Sequence, residues 1–132
     1  MASAIYPKAK EQMLQGGINL SSATVRAVLI DTGTYTYNSA HNAYDDLSGV
    51  VGTESGAFGT KTFTNGVFDA DNITFSSVTG NTAEALVIFI DTGTASTDLL
   101  IAYIDSASSG LPATPNGGDI TVTWNASGIF AL

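Results

Sequence analysis

The rhythm of hydrophobic and polar positions changes once along the chain, near residue 17. Before that point Ile5, Ala9 and Met13 recur every four residues, Pro7 suits a first helical turn and Gly16-Gly17 supplies a stop. This pattern predicts one short helix over about residues 5–15. A helix of that length is marginal alone, so it must dock on its own domain or on a neighbour.

After residue 24 the rhythm is that of strands. Residues 24–30 are rich in β-branched side chains, with Val25, Ala27 and Leu29 alternating with Thr24, Arg26 and Val28. Residues 85–90 and 99–104 are continuous apolar runs of strand length, expected to be paired central strands covered on both faces. Ile73 to Val78 reads as another strand, and Ile120, Val122 and Trp124 alternate with Thr121 and Thr123. Asn65-Gly66, flanked by Thr62-Phe63-Thr64 and Val67-Phe68, predicts a two-residue hairpin, because both central positions tolerate positive φ. The final turn, 125–128, leads into a last strand over 129–132. Residues 35–59 have no sustained period and read as a long excursion with one short strand at Val50-Val51.

About eight short strands and one helix predict an all-β fold: a single jelly-roll-like β-sandwich spanning residues 1–132, with residues 1–17 as an N-terminal helical arm. The length of 132 residues suits one domain. No apolar run approaches the roughly 18 residues a membrane-spanning helix needs. The first ten residues lack the apolar stretch of a secretory signal and there is no cysteine, so synthesis in a cytoplasm is expected. Twelve acidic against four basic side chains give a net charge of −8, which repels a phosphate backbone and argues against nucleic acid as a partner. Thirty Ser and Thr residues make the remaining surface hydroxyl-rich.

Candidate chemistry is sparse. Asp31-Thr32-Gly33 and Asp91-Thr92-Gly93, sixty residues apart, each follow an apolar strand and invite comparison with the paired carboxylates of an aspartic protease. No hydrophobic-hydrophobic-Gly segment follows either copy, so the favoured reading is an Asx-type turn with Gly33 or Gly93 left-handed. His41, the only histidine, has Ser39 and Asp45 near in sequence but no Gly-x-Ser-x-Gly elbow, and reads as a loop residue. One histidine and no cysteine argue against zinc. Asp45-Asp46 and Asp69-Ala70-Asp71-Asn72 carry oxygen ligands of the kind calcium takes, without the regular loop spacing, and calcium is left open there. No catalytic residue, cofactor or metal ligand is assigned. Tyr35, Tyr37 and Tyr44 cluster in the long excursion, where they could form a contact surface or simply pack beneath it.

Several segments in combination give the chain a family likeness. They are Ala4-Ile5-Tyr6-Pro7-Lys8 opening the helix, 28–37 (VLIDTGTYTY), 65–70 (NGVFDA), 84–94 (EALVIFIDTGT) and 111–124 (LPATPNGGDITVTW). Over nearly its whole length the chain resembles small structural virion proteins of tailed bacteriophages. The resemblance implies a non-enzymatic particle component made in the host cytoplasm. The favoured position is that of a capsid cement or decoration protein, which would bind the major capsid protein as a dimer or trimer. On that reading Ile5, Tyr6, Lys8 and Lys10 in the helix, and Tyr35, Tyr37 and Tyr44 in the excursion, are the expected contacts. The alternative within a particle is a tail or tail-fibre component touching a host glycan; a small aspartic protease is the alternative of another class.

Overall fold

A computed structural model describes residues 4–105 and 110–131, and it is mostly β with one N-terminal helix. Its elements in chain order are β1 (Ala4–Ile5), α1 (Pro7–Leu14), β2 (Val25–Ile30), β3 (Val50–Val51), β4 (Val67–Phe68), β5 (Ile73–Phe75), β6 (Ala85–Ile90), β7 (Leu100–Ile104), β8 (Ile120–Val122) and β9 (Phe130–Ala131). They form three separate sheets: a five-stranded one in the order β1-β7-β6-β2-β3, and two of two strands, β4-β9 and β5-β8. All pairings are antiparallel. The mostly-β fold with one N-terminal helix is as expected, and its strands lie in one long sheet and two short ribbons. The ribbon strands are only two or three residues long.

Sheet formation starts from the apolar runs. Strands β2 and β6 pair over six residues, from Val25 opposite Ile90 to Ile30 opposite Ala85, and β7 adds to the other edge of β6 with a bulge at Ile88/Phe89. Every residue of β7 is buried, as is every residue of β6 before Ile90. The alternation expected in β2 is absent: Val28 and Ile30 are as buried as Val25, Ala27 and Leu29, and only Arg26 reaches the surface. Sheets covered on both faces have no polar side to advertise in sequence.

The outer edge of β2 is closed in two ways. Val50 and Val51 pair with Ile30 and Leu29, and the chain then returns to donate Ser55 N–H to the Ala27 carbonyl (2.8 Å) and Phe58 N–H to the Val25 carbonyl (2.8 Å). Between them the buried Ser55 hydroxyl accepts the Ala27 N–H at 3.0 Å, a side chain standing in for a strand carbonyl. Unpaired edge groups are costly when buried, and this satisfies them.

The helix begins two residues later than its periodicity suggested. Ile5 belongs to β1, opposite Ala102, and Tyr6 is extended (φ −60°, ψ 130°) because the ring of Pro7 disfavours a helical residue before it. Gly16 (φ +74°) ends α1: its N–H bonds the Met13 carbonyl and that of Gly17 bonds the Gln12 carbonyl, the two closing bonds of a Schellman motif. Ala9 is fully buried, and α1 packs on β7 of its own domain, not as a free arm.

At Asn65-Gly66 both residues have positive φ (57° and 79°), as the turn requires. The flanks pair only at Thr62 and Asp69, however, because Val67 and Phe68 take β9 as their partner. Beneath the ribbons lies an aromatic cluster in which Phe58 meets Phe68, Phe68 meets Phe130, and Trp124 donates its indole N–H to the Asp71 carbonyl at 3.0 Å. These residues join those of the large sheet in one hydrophobic core.

Ile88 is fully buried on the central strand, so Ile88→Ala should cost about 2–5 kcal/mol in urea unfolding. Leu14→Ala, at a position 89 % exposed, should change stability by less than about 0.5 kcal/mol in the same assay.

Candidate functional site

Both Asp-Thr-Gly segments are Asx turns. Asp31 Oδ1 accepts the Gly33 N–H and Asp91 Oδ1 the Gly93 N–H, each at 2.9 Å. Only Gly93 is left-handed (φ +89°); at the first turn the left-handed glycine is Gly49, whose own carbonyl accepts the Asp31 N–H. Because β2 and β6 are antiparallel, Asp31 and Asp91 leave the ladder at opposite ends. Six intervening residues put them roughly 20 Å apart. They cannot share a proton, so the pair an aspartic protease needs is not formed by these two residues.

Each turn follows the last residue of its strand, Asp31 after Ile30 and Asp91 after Ile90, and the contents of the two ladder ends differ. At the Asp91 end, Arg26 donates from Nε to Asp91 (2.7 Å) and from Nη1 to the Ser55 carbonyl (3.1 Å), with Glu54 at 3.9 Å.

What the Asp31 end contains is tyrosine. Its turn, held by Asn81 Nδ2 donating to Asp31 Oδ2 (3.0 Å), swings Tyr35 inward. The Tyr35 hydroxyl lies 2.8 Å from that of Tyr6 and 2.8 Å from His41 Nδ1, a chain of three polar groups that crosses from the helix start to the excursion. Tyr37 packs on Tyr6 and Tyr103, with ring centres 5.1 and 5.6 Å away. Burial above all, then the Tyr35 hydroxyl, drives the Tyr6 phenol far above its ordinary range; burial likewise raises Tyr35, Tyr44 and Tyr103, the last also through Asp105.

The expected contact residues differ in their exposure. Tyr6 and Tyr35 are interior residues, 0 and 2 % exposed, since each phenol finds its hydrogen-bond partner inside the fold. Tyr44 is half-buried, edge-on to Phe89 at 5.0 Å, and its N–H bonds the Asp98 carbonyl. Ile5 and Tyr37 are also half-buried, while Lys8 and Lys10 are exposed. His41 is engaged by Tyr35.

The acidic segments cap backbone. Asp46 Oδ2 accepts the N–H groups of Asn42 and Ala43, which holds its carboxyl below the usual range, and Asp71 Oδ2 accepts the Thr60 hydroxyl. Among the described residues no three metal-ligating side chains come together.

Two surface features are invisible in the periodicity. The first is an apolar belt at the end of α1, where Leu14 is 89 % exposed beside Met13, Ile5 and Ala131, continuing through Leu20 to Phe63, 38 % exposed. The second is a cleft of about 590 Å³ at the Asp31 end, lined by Tyr35, Tyr37 and Tyr103 with Thr32, Glu84 and Asp105. Neither the family models nor the curated proteins compared with this chain match it.

Four tyrosines with raised phenol pKa values bind protons more tightly when folded than unfolded. Their contribution is complete below the ordinary value near 10 and is lost as pH rises towards the folded values. Urea midpoints should therefore hold steady from pH 7 to 9 and fall progressively above about pH 10, and Tyr6→Phe should flatten that fall.

Proposed function

We propose that the chain is a structural component of a tailed-bacteriophage particle, a cement or decoration protein that binds the major capsid protein on the outer shell. On this reading the three sheets act together as a single jelly-roll-like sandwich, a view their shared core supports. The observation that carries the proposal is the apolar belt around Leu14. A leucine left almost wholly in water next to Met13 and Ile5, in a belt that continues through Leu20 to Phe63, is a surface that a partner would cover.

The belt's setting suits such a role. Arg26 and Lys61 are spent inside the molecule, the latter donating to the carbonyls of Leu20 and Ala23 at 2.7 and 2.6 Å. The remaining two cations, Lys8 and Lys10, are exposed on the helix that carries Leu14, with Lys8 paired to Glu11 at 3.3 Å and Lys10 lining the same groove as Leu14. An apolar patch flanked by the Lys10 ammonium favours an acidic partner surface with an apolar centre. Binding to assembled shell alone would shift the assembly equilibrium towards the shell, and a dimer or trimer would span several subunits. The likeness to virion proteins in residues 28–37 and 84–94 favours this over the protease reading, which loses its paired aspartates.

The test is cosedimentation with phage heads and, separately, with tails. Since Tyr6 and Ala9 are core residues, removing the helix would damage the fold, and Leu14→Asp is the informative variant. Saturable binding to heads, weakened at least about tenfold by Leu14→Asp, is the expected result. Binding to tails alone would make the chain a tail component; binding to neither would remove the particle reading.

A further inference from the structure

Spontaneous reactions of asparagine depend on the side-chain amide and on the backbone nitrogen that follows it, whatever assembly the chain serves. The chain holds eight asparagines, and two of them, Asn65 and Asn116, precede glycine, the neighbour that crowds that nitrogen least. The fold treats the eight differently. Asn19, Asn38, Asn116 and Asn125 each accept through Oδ1 the N–H two residues on, at 2.8 to 3.0 Å, and Asn81 donates from Nδ2 to Asp31. Among the described residues, the side chains of Asn42, Asn65 and Asn72 make no hydrogen bond. The nitrogen after Asn42 is that of buried Ala43, already bonded to Asp46, and the one after Asn72 belongs to branched, buried Ile73 in β5. Only Asn65 combines an unbonded amide with a following glycine, and both residues are exposed.

The two Asn-Gly pairs also differ in how their backbone is held. Gly117 donates to the Val78 carbonyl at 2.8 Å and Val78 donates to the Gly118 carbonyl at 3.0 Å, so that turn is pinned to a distant segment. At the other pair, Gly66 N–H reaches the Phe63 carbonyl at 3.2 Å and Val67 N–H bonds the Thr64 carbonyl. Both bonds stay inside the turn, whose flanks are fastened separately by the Thr62–Asp69 pair. Asn65 itself is left-handed (φ 57°, ψ 30°), which sets the Gly66 nitrogen on the far side of the Cα–C bond from the side chain. Reaction therefore waits on rotation about ψ, and that rotation can be made by opening the turn while its flanks hold.

We propose that Asn65 is the chain's site of spontaneous deamidation, gated by opening of its own turn. The Gly66 nitrogen, having given its proton to hydroxide, attacks Cγ of Asn65. The new C–N bond closes a succinimide ring as the amide C–N bond breaks and its nitrogen leaves as ammonia. Water then opens the ring at either carbonyl, yielding aspartate or isoaspartate, so the net change is hydrolysis of one amide without oxidation or reduction. The product carries a carboxylate at the turn tip, beside a groove lined by Leu20, Phe63 and Phe130.

The test incubates the intact protein in mildly alkaline buffer, folded and, in parallel, unfolded in guanidinium chloride, with conversion at each asparagine followed by mass mapping of proteolytic peptides. Unfolded, Asn65 and Asn116 should convert at closely similar rates, since both precede glycine. Folded, Asn65 should convert at least about tenfold faster than Asn116, whose turn has more bonds to break. Amide hydrogen exchange at Gly66 and Val67 should outpace that at Gly117 and Val78. Asn65→Gln, whose longer side chain closes the ring far less readily, should remove the first acidic species that appears on isoelectric focusing. Equal rates at the two sites in the folded protein, or Asn116 leading, would overturn the proposal. So would an Asn65 that stays intact in the folded protein over the time in which the unfolded chain converts.

Discussion

The six-residue ladder between β2 and β6 is the constraint from which the remaining structure follows. Its strands are apolar on both faces, so neither face can be left to water, and a ladder of two strands also has two edges to close. One edge takes β7 and then β1; the other takes β3 and the Ser55–Phe58 return. The aromatic cluster under the two ribbons contributes Phe58, Phe68 and Trp124 to the same core. The helix, the excursion and the ribbons can be understood as different ways of covering one hydrophobic pair of strands.

Much of this was legible in sequence because it depends on local chemistry. The apolar runs that became β6 and β7, the turn glycine at residue 16, the Asx turns and the positive φ of Asn65-Gly66 are dictated within a few residues. What was not legible depends on partners distant in sequence. Ile5 reads as helical by spacing yet pairs with Ala102, and Val67-Phe68 reads as one arm of a hairpin yet pairs with β9. Tyr6 and Tyr35 look like surface contacts until the hydrogen bond between residues 29 apart draws both inside. The cleft was likewise hidden, because Thr32, Glu84 and Tyr103 come from three different strand ends. No periodicity within one segment could bring them together.

The repeated Asp-Thr-Gly shows how a motif can be recognised correctly and still mislead. Its turn chemistry is the same at both sites, but the antiparallel register separates the copies, and catalysis by a carboxylate pair depends on separation before anything else. The surroundings of the two copies also differ, with Arg26 donating to Asp91 and Asn81 donating to Asp31.

The placement of the four cations carries a last consequence. With Arg26 and Lys61 bonded internally, the other two cations sit on α1, where Lys8 pairs with Glu11 at 3.3 Å, while twelve carboxylates are spread over the chain from residue 11 to residue 119. The ammonium group of Lys10 lies in the same groove as Leu14. An acidic surface meeting this face would engage the charge and the leucine together, so electrostatics would set the orientation in which the apolar contact is made.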